Sequence, residues 1–191
     1  VYYLILYYNN LQERSKNETR LKETVKQAEL DLLKSQINPH FLFNSLNSIS
    51  SLTITNPEKA QEMIIKLSDF LRYSVSQHIS QLTTLKSELE NIRLYLDIEQ
   101  VRFGSKLIYQ NDIDEKCLEN KIPAMILQPL YENAVKHGVY ESTEPIEIKT
   151  TCYNKDDLLQ IIISNNFDSA AKSRKGTGLG LKNIRERLRL I

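Results

Sequence analysis

The chain has 191 residues, 41% of them hydrophobic and 26% charged, which is enough apolar side chain for one moderate core plus a smaller helical unit and excludes a disordered segment. Twenty-five Lys and Arg stand against twenty-four Asp and Glu, and the resulting net charge of +1 gives no basic field, so no direct nucleic-acid partner is expected. The two cysteines, Cys117 and Cys152, match no metal-ligand or redox spacing and are expected in the core of a protein kept in a reducing compartment.

The opening run VYYLILYY is apolar and rich in tyrosine, but a membrane-crossing helix takes about 20 apolar residues, so this run cannot span alone. Followed by Arg14, Lys16, Arg20 and Lys22, it reads either as the cytoplasmic end of a transmembrane helix or as an ordinary apolar helix end. Residues 18–35 lack Gly and Pro and carry Leu21, Val25, Ala28 and Leu32 in an a/d rhythm, which fits a two-helix seam or an amphipathic helix packed on its own domain. Helical spacing goes on through Leu42, Leu46 and Ile49, with Pro39 inside it. Asn56 and Pro57 then predict the cap and first residue of another helix, along which Met63, Ile64, Leu67, Phe70 and Leu71 form a stripe. His78, near its end, is expected at the surface. A further helix is predicted over 85–102, stopped at Gly104.

Beyond Gly104 the period changes. Strands are predicted over 107–109, 145–153 and 158–164, the last two joined by a turn over 154–157. A helix is predicted over 124–136, and a polar stretch over 167–175 leads to a last helix over 181–190. The fold class is therefore α+β, helices first and a mixed part after them.

Two stretches carry chemistry. In LQPLYENAVKHG, residues 127–138, Leu127, Leu130, Tyr131 and Ala134 share one helical side, while Glu132, Asn133, Lys136 and His137 spread over about 140° of the other. An amide oxygen, a carboxylate and an ammonium on one surface suit Mg²⁺, an activated nucleophile and a phosphate; a solvated helix face is the plainer alternative. In KGTGLGL, residues 175–181, Gly176, Gly178 and Gly180 let backbone approach a ligand, and a helix start follows. Lys172, Arg174 and Lys175 add positive charge upstream; a flexible glycine loop is the alternative reading.

LKSQINPHFLFNSLNSI resembles the phospho-acceptor box of LytS/YehU-type sensor histidine kinases, LQPLYENAVKHG their N box, and KGTGLGLKNIRERL the glycine-rich box of the GHKL ATP-binding fold, in that order. The resemblance covers residues 33–191. It implies a dimerising, coiled-coil-like helical hairpin followed by a GHKL-type α/β sandwich that is incomplete at its C-terminal end. The implied division is 1–17 as a possible membrane-helix end and linker, 18–80 as the dimerisation and phospho-acceptor part, and 81–191 as the ATP-binding part. By the same resemblance His40 is the phosphorylated residue, Glu132 helps set up the attack, Asn133 holds Mg²⁺, and Lys136 and His137 contact phosphate. Asn165 stands at the adenine-reading position, and Lys175, Gly176, Thr177, Gly178, Leu179 and Gly180 close over the nucleotide. ATP and Mg²⁺ are the implied cofactors. A homodimer, a response regulator of LytTR type and a membrane reached through the N-terminal side are the implied partners. The implied location is the cytoplasmic portion of a bacterial inner-membrane protein.

Pro39 cannot donate to the carbonyl of Ser35, so a helix running through it is expected to bend and present the His40 imidazole, one nitrogen of which is largely unprotonated near neutral pH. The alternative is a helical histidine beside a tolerated kink. The sequence departs from the broader kinase pattern in three places. Phe41 follows the histidine where many kinases have a carboxylate, Asn165 and Phe167 replace the aspartate and glycine of the adenine box, and the chain stops at Ile191. An inactive pseudokinase or dimerisation scaffold, and a GHKL ATPase that leaves histidine unphosphorylated, therefore stay open.

Overall fold

Among the described residues helix α1, Pro39–Thr55, is the first regular element, and it turns sharply into α2, Pro57–Ser76. The computed structural model describes residues 38–76, 81–140, 142, 144–156, 158–166 and 179–189. The segment over 18–35, His78 and the polar stretch over 167–175 lie outside them. Contacts group residues 40–191 into one unit and 1–39 into another, of which only Asn38 and Pro39 are described.

Pro39 is not interior to a described helix. Asn38 has no regular structure and Pro39 is the first helical residue, where its missing N–H is one that the helix would leave unpaired anyway. The expected bend involves residues before Asn38 and so lies outside the described residues. The second helix starts as the sequence predicts, with the Asn56 side-chain oxygen accepting from Lys59 N at 3.0 Å. Phe41 explains its own presence beside His40: it is 3% exposed and packs against Phe70 of α2 at 5.2 Å. Its ring also lies 5.1 Å from that of Tyr95 on α3, Leu85–Phe103. An aromatic anchor occupies the place where a carboxylate would stand.

Strand β1, Leu82–Thr84, leads into α3, whose C-terminal stop at Gly104 matches the sequence reading. The Thr84 side chain accepts from Ser87 N, and Gly104, at φ 57°, closes the helix in a conformation that costs glycine little. After a 3₁₀ turn come β2, Leu107–Ile113, and β3, Lys121–Pro123, which pairs antiparallel with β1. Helix α4, Gln128–Ala134, is shorter than predicted. Met125 sits at φ 57°, which no α-helix accommodates, and Pro129 favours a helix start just after it. The chain then widens into a π-turn, Val135–Val139.

Strands β4, Ile146–Lys155, and β5, Leu158–Asn165, form the predicted hairpin, longer than expected, with Asp156 at φ 52° in its turn. The sheet order is β2-β4-β5, with β4 parallel to β2 and antiparallel to β5. Helix α5, Leu179–Leu188, ends the described chain, so the architecture is α+β as expected. Ile146, Ile148, Thr150 and Cys152 alternate inward from β4. The Tyr131 hydroxyl bonds to Thr150 Oγ1 and pins α4 on that face. Both cysteines are buried as expected, and the fold brings them together: burial, and then the Cys117 thiol beside it, push the Cys152 thiol up to about 12.

Candidate functional site

The position of α4 is set by one buried carboxylate. Glu88 Oε2 of α3 accepts from Met125 N at 2.8 Å and from the Tyr73 hydroxyl of α2 at 3.2 Å. Burial raises the Glu88 carboxyl, and these two donors oppose the rise. From α5, Arg187 Nη2 donates to Ala124 O at 2.6 Å, so the same turn is gripped from a second side. This turn leads directly into the N-box segment.

Within that segment Leu127, Tyr131 and Ala134 are buried and Leu130 half-buried, while Asn133 and Lys136 are exposed and Glu132 and His137 half-buried. The predicted polar side is therefore real. Asn133 and His137 line one side of a groove of about 460 Å³, together with Leu130 and Ala134. Ile161, Ile162, Ile163 and Asn165 of β5 form the other. Asn133 and His137 thus share one apolar-walled cleft with Asn165, which is distant from them in sequence. The Asn165 amide donates from Nδ2 to Asn166 O at 2.8 Å, and its Oδ1 is the acceptor of the side chain. Gly138 lets the π-turn approach the sheet: a Cβ there would lie 2.9 Å from Ile146 Cγ2 and 3.4 Å from Asn165 Nδ2.

Glu132 accepts from Gln128 Nε2 at 2.8 Å and does not line the groove. It lies instead near Glu99 of α3, which is 3% exposed. Burial pushes the Glu99 carboxyl up to about 7, Arg102 pulls against this, and Glu132 adds to it. Of the glycine-rich loop, Lys175, Gly176, Thr177 and Gly178 lie outside the described residues, and Leu179 and Gly180 open α5.

His40 is exposed on the first turn of α1 and faces Tyr140, which directly follows the π-turn, at 5.9 Å between ring centroids. Asn44 Nδ2 lies 3.3 Å from Nδ1 and 3.3 Å from Nε2 of that imidazole, and 3.4 Å from the Tyr140 hydroxyl. The candidate acceptor and the end of the N-box segment are in contact.

A family model described as histidine kinase matches residues 28–107. Sensor histidine kinase YpdA of Escherichia coli (strain K12) is 37% identical over 181 residues, 90% of this chain and 32% of that protein. Sensor histidine kinase BtsS of the same organism is 34% identical over 170 residues, 89% of this chain and 30% of that protein. Sensor protein LytS of Bacillus cereus is 32% identical over 173 residues, 84% of this chain and 29% of that protein. The chain belongs to the LytS/YehU-type histidine kinases. It spans about a third of the length of these relatives.

Four residues around this candidate site escaped sequence reasoning: Asn44, Glu99, Arg102 and Tyr140. Glu99 carried a faint signal, since it recurs four residues after Tyr95 on the inward side of α3. The other three meet only through folding, Asn44 and Tyr140 across 96 positions of chain.

Proposed function

We propose that this chain is the core of a two-component sensor kinase that phosphorylates its own His40 from ATP and passes the phosphoryl group to an aspartate of a response regulator, of LytTR type by the family resemblance. The observation that carries this reading is the cleft in which Asn133, His137 and Asn165 meet, built from the N-box segment and carried on the same unit as His40. Its chemistry suits a nucleotide. Leu130, Ala134, Ile161 and Ile163 offer apolar walls to a base, the Asn165 oxygen can accept from an exocyclic amine, and His137 and Lys136 stand where phosphate is expected. Mg²⁺ would be held through Asn133 and phosphate oxygens, since this ion takes few protein ligands. Bound there, Mg²⁺ supplies charge neutralisation for the transferring phosphoryl group.

The part over 81–191 is read as a GHKL-type sandwich and α1 with α2 as the dimerising, phospho-acceptor hairpin. Phe43, Leu46 and Ile54 of α1 and Ile64, Ile65 and Val75 of α2 are large, apolar and exposed, which supports a homodimer. The membrane is assigned to the N-terminal side of the intact sensor; among the described residues no helix is long and apolar enough to cross one.

Incubation of the protein with γ-labelled ATP tests the reading. Acid-labile, base-stable label is expected, abolished by His40→Gln with nucleotide binding kept. Free phosphate alone points to an ATPase, and neither product to a scaffold.

A further inference from the structure

A line of polar side chains is buried along α3. Glu88, Asn91, Tyr95 and Glu99 follow one another at three- or four-residue steps, so they share one helix face, and all four are buried. The segment that carries α4 lies along this face in a constant register. Glu88 accepts from the Met125 N–H, 37 positions on. Burial, then Glu99 and then Glu132 raise the Tyr95 phenol, which places Glu132 beside Tyr95 at the same separation. Asn91, between Glu88 and Tyr95, therefore stands opposite Gln128, the first residue of α4.

Among the described residues, the buried side-chain nitrogen and oxygen atoms without a hydrogen-bond partner all fall in this seam: Glu88 Oε1, Gln128 Oε1 and both polar atoms of the Asn91 amide. Glu88 is wholly enclosed, and Asn91 and Gln128 are 2% and 4% exposed, so bulk solvent does not reach them. Folded proteins rarely leave such atoms dry. No hydrogen bond joins any of them to another, and with Glu88 ionised only Asn91 Nδ2 is a donor. A small guest that donates and also accepts completes the set. Water does both, and an internal water takes about three such partners. A metal cation satisfies the oxygens but is repelled by the Asn91 NH₂.

We propose that a water molecule is bound in the interior between α3 and α4, bridging the Asn91 amide and Gln128 Oε1 beside Glu88, and that it holds Gln128 in the orientation that donates to Glu132. The bond from Gln128 Nε2 to Glu132 Oε1 is 2.8 Å long, and an amide tied at its oxygen cannot turn its nitrogen away. Gln128 is thereby a positioning residue for Glu132, with Asn91 acting through the water. The positioning role rests on the kinase reading, in which Glu132 helps set up the attack; the water site does not.

In the nucleotide-free full chain, nuclear Overhauser peaks are expected between water and the side-chain NH₂ protons of both Asn91 and Gln128. They should carry the sign of a long-resident water and reverse it in the rotating frame, which excludes proton exchange. In Asn91→Leu the Gln128 peaks should vanish. Their absence from the parent, or their survival in that variant, overturns the proposal. In urea unfolding Asn91→Leu and Gln128→Met should each lower the midpoint, and the double variant should lie no lower than the worse of the two, because groups that share one guest do not lose it twice. Losses that add rule out a shared water, and a midpoint that rises with sodium or potassium at constant ionic strength marks a cation in its place. With γ-labelled ATP, Asn91→Leu should lower the maximal labelling rate by about fivefold and leave KM for ATP unchanged, since misorienting a reacting group costs turnover and Asn91 lies outside the groove. An unchanged maximal rate refutes the positioning role. Glu132→Gln is labelled in parallel: full labelling there refutes the reading of Glu132 and the positioning role with it, while the Overhauser peaks still decide the water.

Discussion

A carboxyl held inside the fold with its titration pushed up to about 7, as Glu99 is, binds a proton that the unfolded chain has already released above its ordinary 4.5. Between those two values the native state carries more protons, so stability falls as pH rises through that window and levels off above it. The whole shift corresponds to at most about 3 kcal/mol, at roughly 1.4 kcal/mol for each pH unit. Glu99→Gln should therefore flatten the decline, leaving a smaller slope of the same sign from Glu88, whose carboxyl is also raised. Urea unfolding at pH 5 and pH 8 measures this, and equal slopes in parent and variant would refute it. Little of this was legible in the sequence, because Glu90 and Glu99 have the same chemistry and only the packing of α3 exposes one and buries the other. Asn133, His137 and Asn165 were legible because the family motifs mark their positions, whereas Tyr140 meets His40, Asn44 and Arg102 only through folding.

Helix limits follow local chemistry where a cap or a glycine decides them. Asn56 and Gly104 act as the sequence predicts. The left-handed Met125 and the π-turn do not, since each is held by contacts from elsewhere. For Met125 the holder is Glu88, and this gives a sharp contrast between two variants. Glu88→Gln keeps an acceptor for the Met125 N–H and should be tolerated. Glu88→Ala orphans that buried donor and should cost about 1–3 kcal/mol in chemical denaturation, with weaker nucleotide binding as the start of α4 shifts. At the other end of the segment, Gly138→Ala drives a methyl against Ile146, which is 1% exposed and has no room to yield. A net loss of about 1–2 kcal/mol is expected despite the better helix propensity of alanine, and an unchanged denaturation midpoint would contradict the close approach.

At the scale of the molecule, the α+β order was legible from the change of hydrophobic period after Gly104, but the sheet order was not, because nothing local tells β2 to run parallel to β4. The exposed apolar stripe on α1 predicts its own partner. Phe43 and Ile54 lie within about 20° of one another on the helix surface, at 68% and 86% exposure. The double variant Phe43→Glu, Ile54→Glu should sediment as a monomer where the parent sediments as a dimer, with the far-ultraviolet spectrum unchanged; a parent that is itself monomeric would refute the pairing. The parallel pairing of β2 with β4 bears on how the chain reaches this state. Leu107 meets Ile146 and Ile113 meets Cys152, so everything between them, the Met125 turn, α4 and the π-turn, is a loop that closes only when two distant segments zip together. Such non-local pairing demands its entropy before it returns any contact energy, which makes it slow. In refolding, the cleft between α4 and β5 should therefore emerge late and in a single kinetic phase with the protection of β4 amides from hydrogen exchange, after the locally connected α1 and α2 have already gained their helicity.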